Sequence, residues 1–167
     1  MKLKALYHSH IVMANHPELE SFLRKRFDWE FQRGKVDFQR VRSVVSSPRL
    51  MSFSARCFSH PGLVIAGESY LSQHTMIADG YRKTYAISMQ DWLEINDFVE
   101  KVEWCEPFDK AVMNVQVWPF TPSELGPFAM AVAVALSFSP MELRAESRIS
   151  LAVDELVEEW GYYADDL

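Results

Sequence analysis

Two histidines near the start of the chain stand two residues apart, in Tyr7-His8-Ser9-His10. Residues 3–14 are rich in leucine, isoleucine and valine, a composition typical of a central strand. Because alternate residues of a strand share a face, His8 and His10 would project together and could hold a metal or place an acid beside a base. Two histidines are too few ligands for a metal site, so we expect a structural or partly exposed pair and no cofactor.

A second set of residues suited to proton transfer surrounds Asp79-Gly80, the strongest hairpin signal in the chain. A two-residue turn there would join strands over residues 70–77 and 81–89 and would pair His74 with Tyr85. One face of the ribbon would then carry Tyr70, His74, Tyr81, Lys83 and Tyr85. Such a face could serve a metal-independent ribonuclease or phosphotransfer enzyme, and its rings could stack on bases. The alternative is cross-strand aromatic packing on a half-buried ribbon.

The charges of the chain are unevenly distributed along the sequence. Residues 1–60 carry a net charge of +6 and residues 61–167 a net charge of −12. A basic face invites phosphate groups or an acidic partner, although the two kinds of charge can also mix once the chain folds. The candidate binding residues of this basic third are Arg24, Lys25, Arg26, Arg33, Lys35, Arg40 and Arg42, with Arg49 and Arg56 beyond them.

Proline and glycine signals predict the elements that would position these residues in the first third. Asn15-His16-Pro17-Glu18 opens a helix, and Arg33-Gly34 joins two strands of a hairpin. Ser47-Pro48 predicts a short helix with Leu50, Phe53 and Cys57 on one side. The two cysteines, Cys57 and Cys105, make no disulfide framework and no zinc motif, so we expect buried free thiols.

The middle of the chain predicts two further strands and a helix. Residues 63–66 form a short strand, and Ser88-Met89-Gln90-Asp91 caps a helix whose inner stripe would be Trp92, Ile95, Val99 and Val102. Residues 112–118 alternate apolar and polar side chains. This alternation predicts a strand with one face on the core and the other exposed to solvent.

Two capping boxes in the C-terminal part each predict the start of a helix: Thr121-Pro122-Ser123-Glu124 and Ser139-Pro140-Met141-Glu142. Residues 128–136 contain no polar side chain, so a helix there would be buried on all sides. The alternative, if Gly126-Pro127 ends a single turn, is a buried strand over residues 129–138.

The second helix of this pair should lie over the first and stop at Trp160-Gly161. Its predicted inner stripe is Ala145, Ile149, Ala152, Val153, Leu156 and Trp160. The acidic residues between Glu155 and Asp166 surround three aromatic residues. This end of the chain could dock on a basic surface of a partner, or it could simply be a solvated helix end and tail.

Together these features predict a single α+β domain over residues 1–167, with a mixed or antiparallel sheet of about five to seven strands and a C-terminal helical pair. No phosphate loop or catalytic motif is recognisable, and no apolar stretch reaches membrane length. We therefore expect a cytoplasmic, non-enzymatic binding protein, a regulator or inhibitor that occupies a protein partner. Nucleic acid is a second partner class, through the basic third. The alternative function is a phosphodiester- or RNA-handling enzyme using His8, His10, His74, Lys83 and Tyr85.

Overall fold

The computed structural model describes residues 48–125 and 127–163, without the side chains of residues 127–129 and 157–163. These residues fall into two compact units, 48–124 and 125–163, which are described separately. The strand predicted over 3–14, the helix from Asn15, the Arg33-Gly34 hairpin and the acidic tail beyond residue 163 lie outside the described residues.

Residues 48–124 form a four-stranded mixed sheet with helices, so the α+β class is confirmed. The strands are β1 (Met51–Arg56), β2 (Val64–Ile65), β3 (Thr84–Ser88) and β4 (Val112–Trp118), in the order β1-β4-β3-β2. β4 pairs antiparallel with β1 and parallel with β3, and β2 pairs antiparallel with β3. The described part of the chain thus has fewer strands than the five to seven predicted.

One face of the sheet is covered by helix α2 (Met89–Ile95). Ser88 caps this helix as predicted, because its hydroxyl accepts a hydrogen bond from the Asp91 amide at 3.0 Å. Trp92 packs with buried side chains of the strands, namely Ala55, Ile87, Met113, Val115 and Val117. The helix ends at Ile95 and a 3₁₀ turn follows over Asn96–Phe98, so Val99 and Val102 lie beyond it.

β4 is buried on both faces, which corrects the prediction of one wet side. Gln116 is buried, and its Oε1 accepts a hydrogen bond from Nε1 of buried Trp118 at 3.1 Å. The half-buried Asn114 accepts one from the hydroxyl of Ser54 on β1 at 3.1 Å. These hydrogen bonds satisfy the side-chain oxygens of both polar residues of the strand, as is usual for buried polar groups.

The predicted hairpin around Asp79-Gly80 is wrong. Helix α1 (Gly67–His74) replaces its first strand, and β3 pairs in parallel with β4 instead of with residues 70–77. A tight hairpin turn of the Asn-Gly type needs a positive φ at glycine, and among the described glycines only Gly67 has one. Thr75 ends α1, since its amide and its hydroxyl both donate to the Leu71 carbonyl.

The helix predicted from Ser47-Pro48 is also wrong, because residues 51–56 form β1. Their alternation explains the strand: Phe53 and Ala55 pack into the core, whereas Ser52 and Arg56 are exposed. Cys57 follows the strand. Its thiol is free, as predicted, but the residue is exposed rather than buried.

The second unit contains helices α3 (Pro127–Ser137), α4 (Pro140–Ala145) and α5 (Ser147–Tyr163). The helix predicted over 128–136 is confirmed, and residues 130–136 are all buried. It begins at Pro127 rather than at the Thr121 cap, which leads only into a 3₁₀ turn over Pro122–Glu124.

The second helix of the predicted pair is divided at Glu146, which separates α4 from α5. Ile149, Ala152, Val153 and Leu156 are buried as predicted, but Ala145 is exposed. α5 packs on α3. It continues past Gly161 to Tyr163, so the predicted stop is wrong, and the Trp160 side chain lies outside the described residues.

Ser139 forms the predicted capping box at the start of α4. The Glu142 amide donates to the Ser139 hydroxyl at 3.2 Å, and the Ser139 amide donates to the Glu142 carboxylate at 2.6 Å. We expect Ser139→Ala to lower the free energy of unfolding by about 1 kcal/mol, because one helix amide loses its acceptor. Urea titration measures this loss, with Ser123→Ala, at an exposed serine, as the control. Equal stability of the two variants would contradict a working cap.

Candidate functional site

A pocket of about 590 Å³ opens at the end of the sheet where β1 finishes and β3 and β4 begin. Phe58, Leu63, Tyr85 and Met113 line its apolar part and also border the core beneath α2. The pocket therefore rests on packed side chains, and its volume is within the range of small-molecule sites, roughly 300–1,000 Å³.

The polar lining of this pocket carries positive charge and nucleophilic or proton-transferring groups. They are Cys57, Ser59, His60, Tyr81, Lys83 and Lys110. In the part of the chain that the structure describes, no aspartate or glutamate lines the pocket. The cavity is therefore suited to an anionic ligand.

Lys83 is held by a short chain of hydrogen bonds from α1. The Ser69 hydroxyl accepts from the Thr84 amide at 2.9 Å and donates to the Asp79 carboxylate at 3.1 Å. Asp79 in turn accepts a hydrogen bond from the Lys83 ammonium. This hydrogen bond, reinforced by the charge of Asp79, raises the pKa of Lys83. Lys83 therefore stays charged at neutral pH.

His60 is fixed by a contact within its own loop. The Gly62 amide donates to Nδ1 of His60 at 2.9 Å, so the neutral imidazole carries its proton on Nε2 and keeps a donor there. Gly62 also passes close to α2, since a Cβ atom at this position would lie 2.3 Å from Oδ2 of Asp91. A larger residue would displace the carboxylate or the loop.

The structure brings together three of the residues predicted to share a face. Tyr81, Lys83 and Tyr85 all line the pocket, because they alternate along the chain leading into β3. His74 does not line it. It lies at the end of α1, where its ring stacks on Tyr70 with centroids 4.2 Å apart. His8 and His10 lie outside the described residues.

Sequence reasoning missed His60, Cys57 and Lys110 as pocket residues. The local sequence His60-Pro61-Gly62 predicts only a break between two elements. Nothing in the sequence indicates that this loop meets the starts of β3 and β4. That proximity depends on the strand order, because β4 lies between β1 and β3.

The predicted binding residues of the basic third, from Arg24 to Arg42, lie outside the described residues. Arg56 is described and forms an ion pair with Asp109, with Nη1 and Oδ2 3.1 Å apart. Arg49 also has an interaction partner. The described part of the predicted basic surface therefore offers little unpaired positive charge.

A second feature is an exposed stretch that we name the acidic-aromatic segment, residues 93–108. Phe98, Trp104 and Phe108 are 87%, 80% and 62% exposed. Five exposed acids are interleaved with them, against one lysine: Glu94, Asp97, Glu100, Glu103 and Glu106. None of these carboxylates forms an ion pair within residues 48–125 and 127–163.

The middle of the acidic-aromatic segment is anchored to the edge strand β1. The Arg56 amide donates to the Glu100 carbonyl at 2.9 Å, and the Val102 amide donates to the Ser54 carbonyl at 2.9 Å. The Lys101 ammonium lies over the rings of Phe53 and Trp92, 4.7 and 5.3 Å from their centroids. These contacts fix the backbone between Phe98 and Trp104.

The end of the segment is anchored to the residues before β3. The Arg82 guanidinium donates to the carbonyls of Cys105 and Glu106 at 3.4 and 3.0 Å. The rings of Tyr81 and Phe108 meet edge to face, with centroids 4.4 Å apart. The exposed rings therefore project from a backbone held at several points.

Within the described ranges, no group of three or more His, Cys, Asp or Glu could hold a metal ion. Among the helices of those same ranges, none is long and apolar enough to cross a membrane.

Comparison with known proteins gave no relative. No protein-family model matches the chain, and neither a curated protein nor a solved structure matches it.

Proposed function

We propose that this protein is a cytoplasmic, non-enzymatic binding protein that regulates or inhibits a protein partner by occupying it. The acidic-aromatic segment is its contact surface, and the partner presents a basic surface with apolar side chains. The observation that carries this proposal is the exposure of three large aromatic side chains between five carboxylates that form no ion pair within the described part of the chain.

The rings supply the binding energy in this proposal. Large aromatic residues dominate the energetics of many protein interfaces, and truncating one at the centre of an interface costs about 2 kcal/mol or more. Phe98 and Trp104 flank the part of the segment that is hydrogen-bonded to β1. Binding would therefore order little additional backbone, which lowers its entropic cost.

The carboxylates supply selectivity. With five acids and one lysine the segment has a net charge of −4, which attracts a basic protein surface and repels nucleic acid. A nucleic-acid partner would have to use the basic third of the chain, outside the described residues. For the described surface we therefore favour a protein partner.

The alternative is a metal-independent enzyme that handles phosphodiesters or RNA. It is supported by Lys83 and Tyr85, which share the pocket with His60. General acid–base cleavage uses one group to accept and another to donate a proton. Within the described pocket His60 would have to act with Lys83 or Tyr85 as the second group. We favour the binding function because of the exposed aromatic and acidic side chains of residues 93–108.

The test uses an arginine- and leucine-rich synthetic peptide as the probe, with binding measured by isothermal titration calorimetry. We expect Trp104→Ala to weaken binding by at least about tenfold, because the ring is a central anchor. Met76→Ala is the matched control: Met76 is 90% exposed but lies outside the segment, so this variant should bind like the wild type.

A second pair of variants separates charge from apolar contact. Glu103→Lys combined with Glu106→Lys should slow association and reduce its salt dependence, whereas Glu124→Lys should change neither. If charge reversal weakens binding but Trp104→Ala does not, the attraction is nonspecific and the proposal is wrong. RNA cleavage that disappears on His60→Ala would also contradict it.

A further inference from the structure

We propose that the pocket at the starts of β3 and β4 binds a small aromatic phosphate of nucleoside monophosphate size. This inference goes beyond the binding function above and does not depend on it. The pocket adjoins the acidic-aromatic segment at the contact between Tyr81 and Phe108, and the segment's other exposed rings, Phe98 and Trp104, do not line it.

Charge indicates that the ligand is an anion. Lys83 and Lys110 both line the pocket, and among the described residues no carboxylate does. Asp79 already partners Lys83, but no ion pair to Lys110 occurs within residues 48–125 and 127–163. Lys110 is therefore the ammonium available to a bound anion, and Lys83 adds a second positive group at the same cavity.

His60 supplies a directed donor for that anion. Its Nδ1 is occupied by the Gly62 amide, so Nε2–H is the atom left to donate. A phosphate group offers several acceptor oxygens and can receive hydrogen bonds from the imidazole and from more than one ammonium. The donors of the lining therefore suit a phosphate group better than a ligand with a single acceptor atom.

Aromatic side chains in the pocket lining indicate that the rest of the ligand contains a ring system. Phe58, Tyr81 and Tyr85 line the same cavity, and Tyr81 is 74% exposed. Aromatic rings stack on nucleobases without strong base preference. A volume of about 590 Å³ accommodates a phosphate together with a ring system.

The primary experiment is calorimetric titration with adenosine monophosphate, inorganic phosphate and adenosine. We expect the nucleotide to bind at least tenfold more tightly than either fragment, because both parts of the pocket must be filled. Equal affinity for phosphate and nucleotide would overturn the aromatic part of the proposal, and no binding of the nucleotide would overturn all of it. A short oligonucleotide that binds tenfold more tightly than the monophosphate would show a nucleic-acid site instead.

Single substitutions then test which residues contact the nucleotide. Lys110→Ala should weaken nucleotide binding at least tenfold, and Tyr81→Leu should weaken nucleotide binding without changing phosphate binding. Arg144→Ala removes an exposed cation that does not line the pocket and should have no effect. Trp104→Ala should also leave nucleotide affinity unchanged, which keeps this site distinct from the protein-binding surface. Wild-type nucleotide affinity in Lys110→Ala would contradict the role of Lys110 as a contact of the bound anion.

Cys57 gives a second readout that does not depend on calorimetry. Its thiol is exposed and lines the pocket, so a bound ligand should shield it from alkylation. In a Cys105→Ser background, where Cys57 is the remaining thiol, saturating nucleotide should slow the reaction with iodoacetamide at least fivefold. An unchanged rate would place the nucleotide elsewhere and overturn the proposal.

Discussion

Val132→Asp is expected to abolish folding of the helical unit formed by α3, α4 and α5. Val132 is buried in α3, within a run from Met130 to Leu136 that is buried throughout. An uncompensated buried charge costs roughly 3–5 kcal/mol, a large part of the 5–15 kcal/mol that stabilises an ordinary domain. Thermal unfolding followed by circular dichroism measures the effect.

Two controls separate burial from the mere presence of a charge. Leu151→Asp introduces the same side chain on α5 at a position that is 69% exposed, and should cost less than about 1 kcal/mol. Glu146→Ala removes only an exposed ion pair with Arg148 and should cost less than about 0.5 kcal/mol. A soluble, cooperatively folded Val132→Asp protein would instead indicate an exposed apolar surface available to a partner.

Gly67→Ala is expected to have the second largest effect. Gly67 begins α1 with a φ of +54°, a conformation that costs other residues roughly 1–2 kcal/mol. An added Cβ would also lie 2.9 Å from Cγ2 of Thr84 and 3.2 Å from Nε2 of Gln116, both buried. Overpacking of this kind costs roughly 1–3 kcal/mol. We expect a total loss of about 2–4 kcal/mol in urea unfolding.

Gly80→Ala is the matched control for this substitution. Gly80 is exposed, has no positive φ, and the nearest atom to an added Cβ is the Arg82 carbonyl oxygen at 3.8 Å. Alanine there should be neutral or stabilise the protein by up to about 1 kcal/mol, because it restricts the unfolded chain. Equal effects of the two substitutions would contradict the conformation of Gly67.

The elements that could be predicted are those with a local mechanism. The Ser88 and Ser139 caps and the all-apolar run in α3 each specify a helix through neighbouring residues alone. The alternation of residues 112–118 likewise predicts β4. Its burial on both faces could not be predicted, since this depends on which strands and helices lie beside it.

The errors come from local signals that tertiary structure overrode. Asp79-Gly80 has the composition of a hairpin turn, but Asp79 instead binds Ser69 and Lys83. The segment before it contains Tyr70, Leu71, Ser72 and Gln73, which are not β-branched, and helix formation there satisfies the backbone. Ser47-Pro48 suggested a helix start, although the period-two pattern of residues 51–56 was the better signal.

The candidate site was predicted only where its residues lie on one element. Tyr81, Lys83 and Tyr85 share a side because they alternate, whichever partner strand they have. His60 and Lys110 reach the same pocket from two other loops, and such convergence requires the strand order. The exposure of Trp104 could not be predicted either, because tryptophan in a sequence more often indicates burial.

The most direct test of the proposed contact surface is an NMR titration of the isotope-labelled protein with the arginine- and leucine-rich peptide. The Trp104 indole resonance is assigned by its loss in Trp104→Phe. We expect the largest chemical-shift changes at this indole N–H and at the amides of residues 93–108, and we expect them to shrink with added salt. Shifts that avoid residues 93–108, or that spread evenly over the protein, would contradict it.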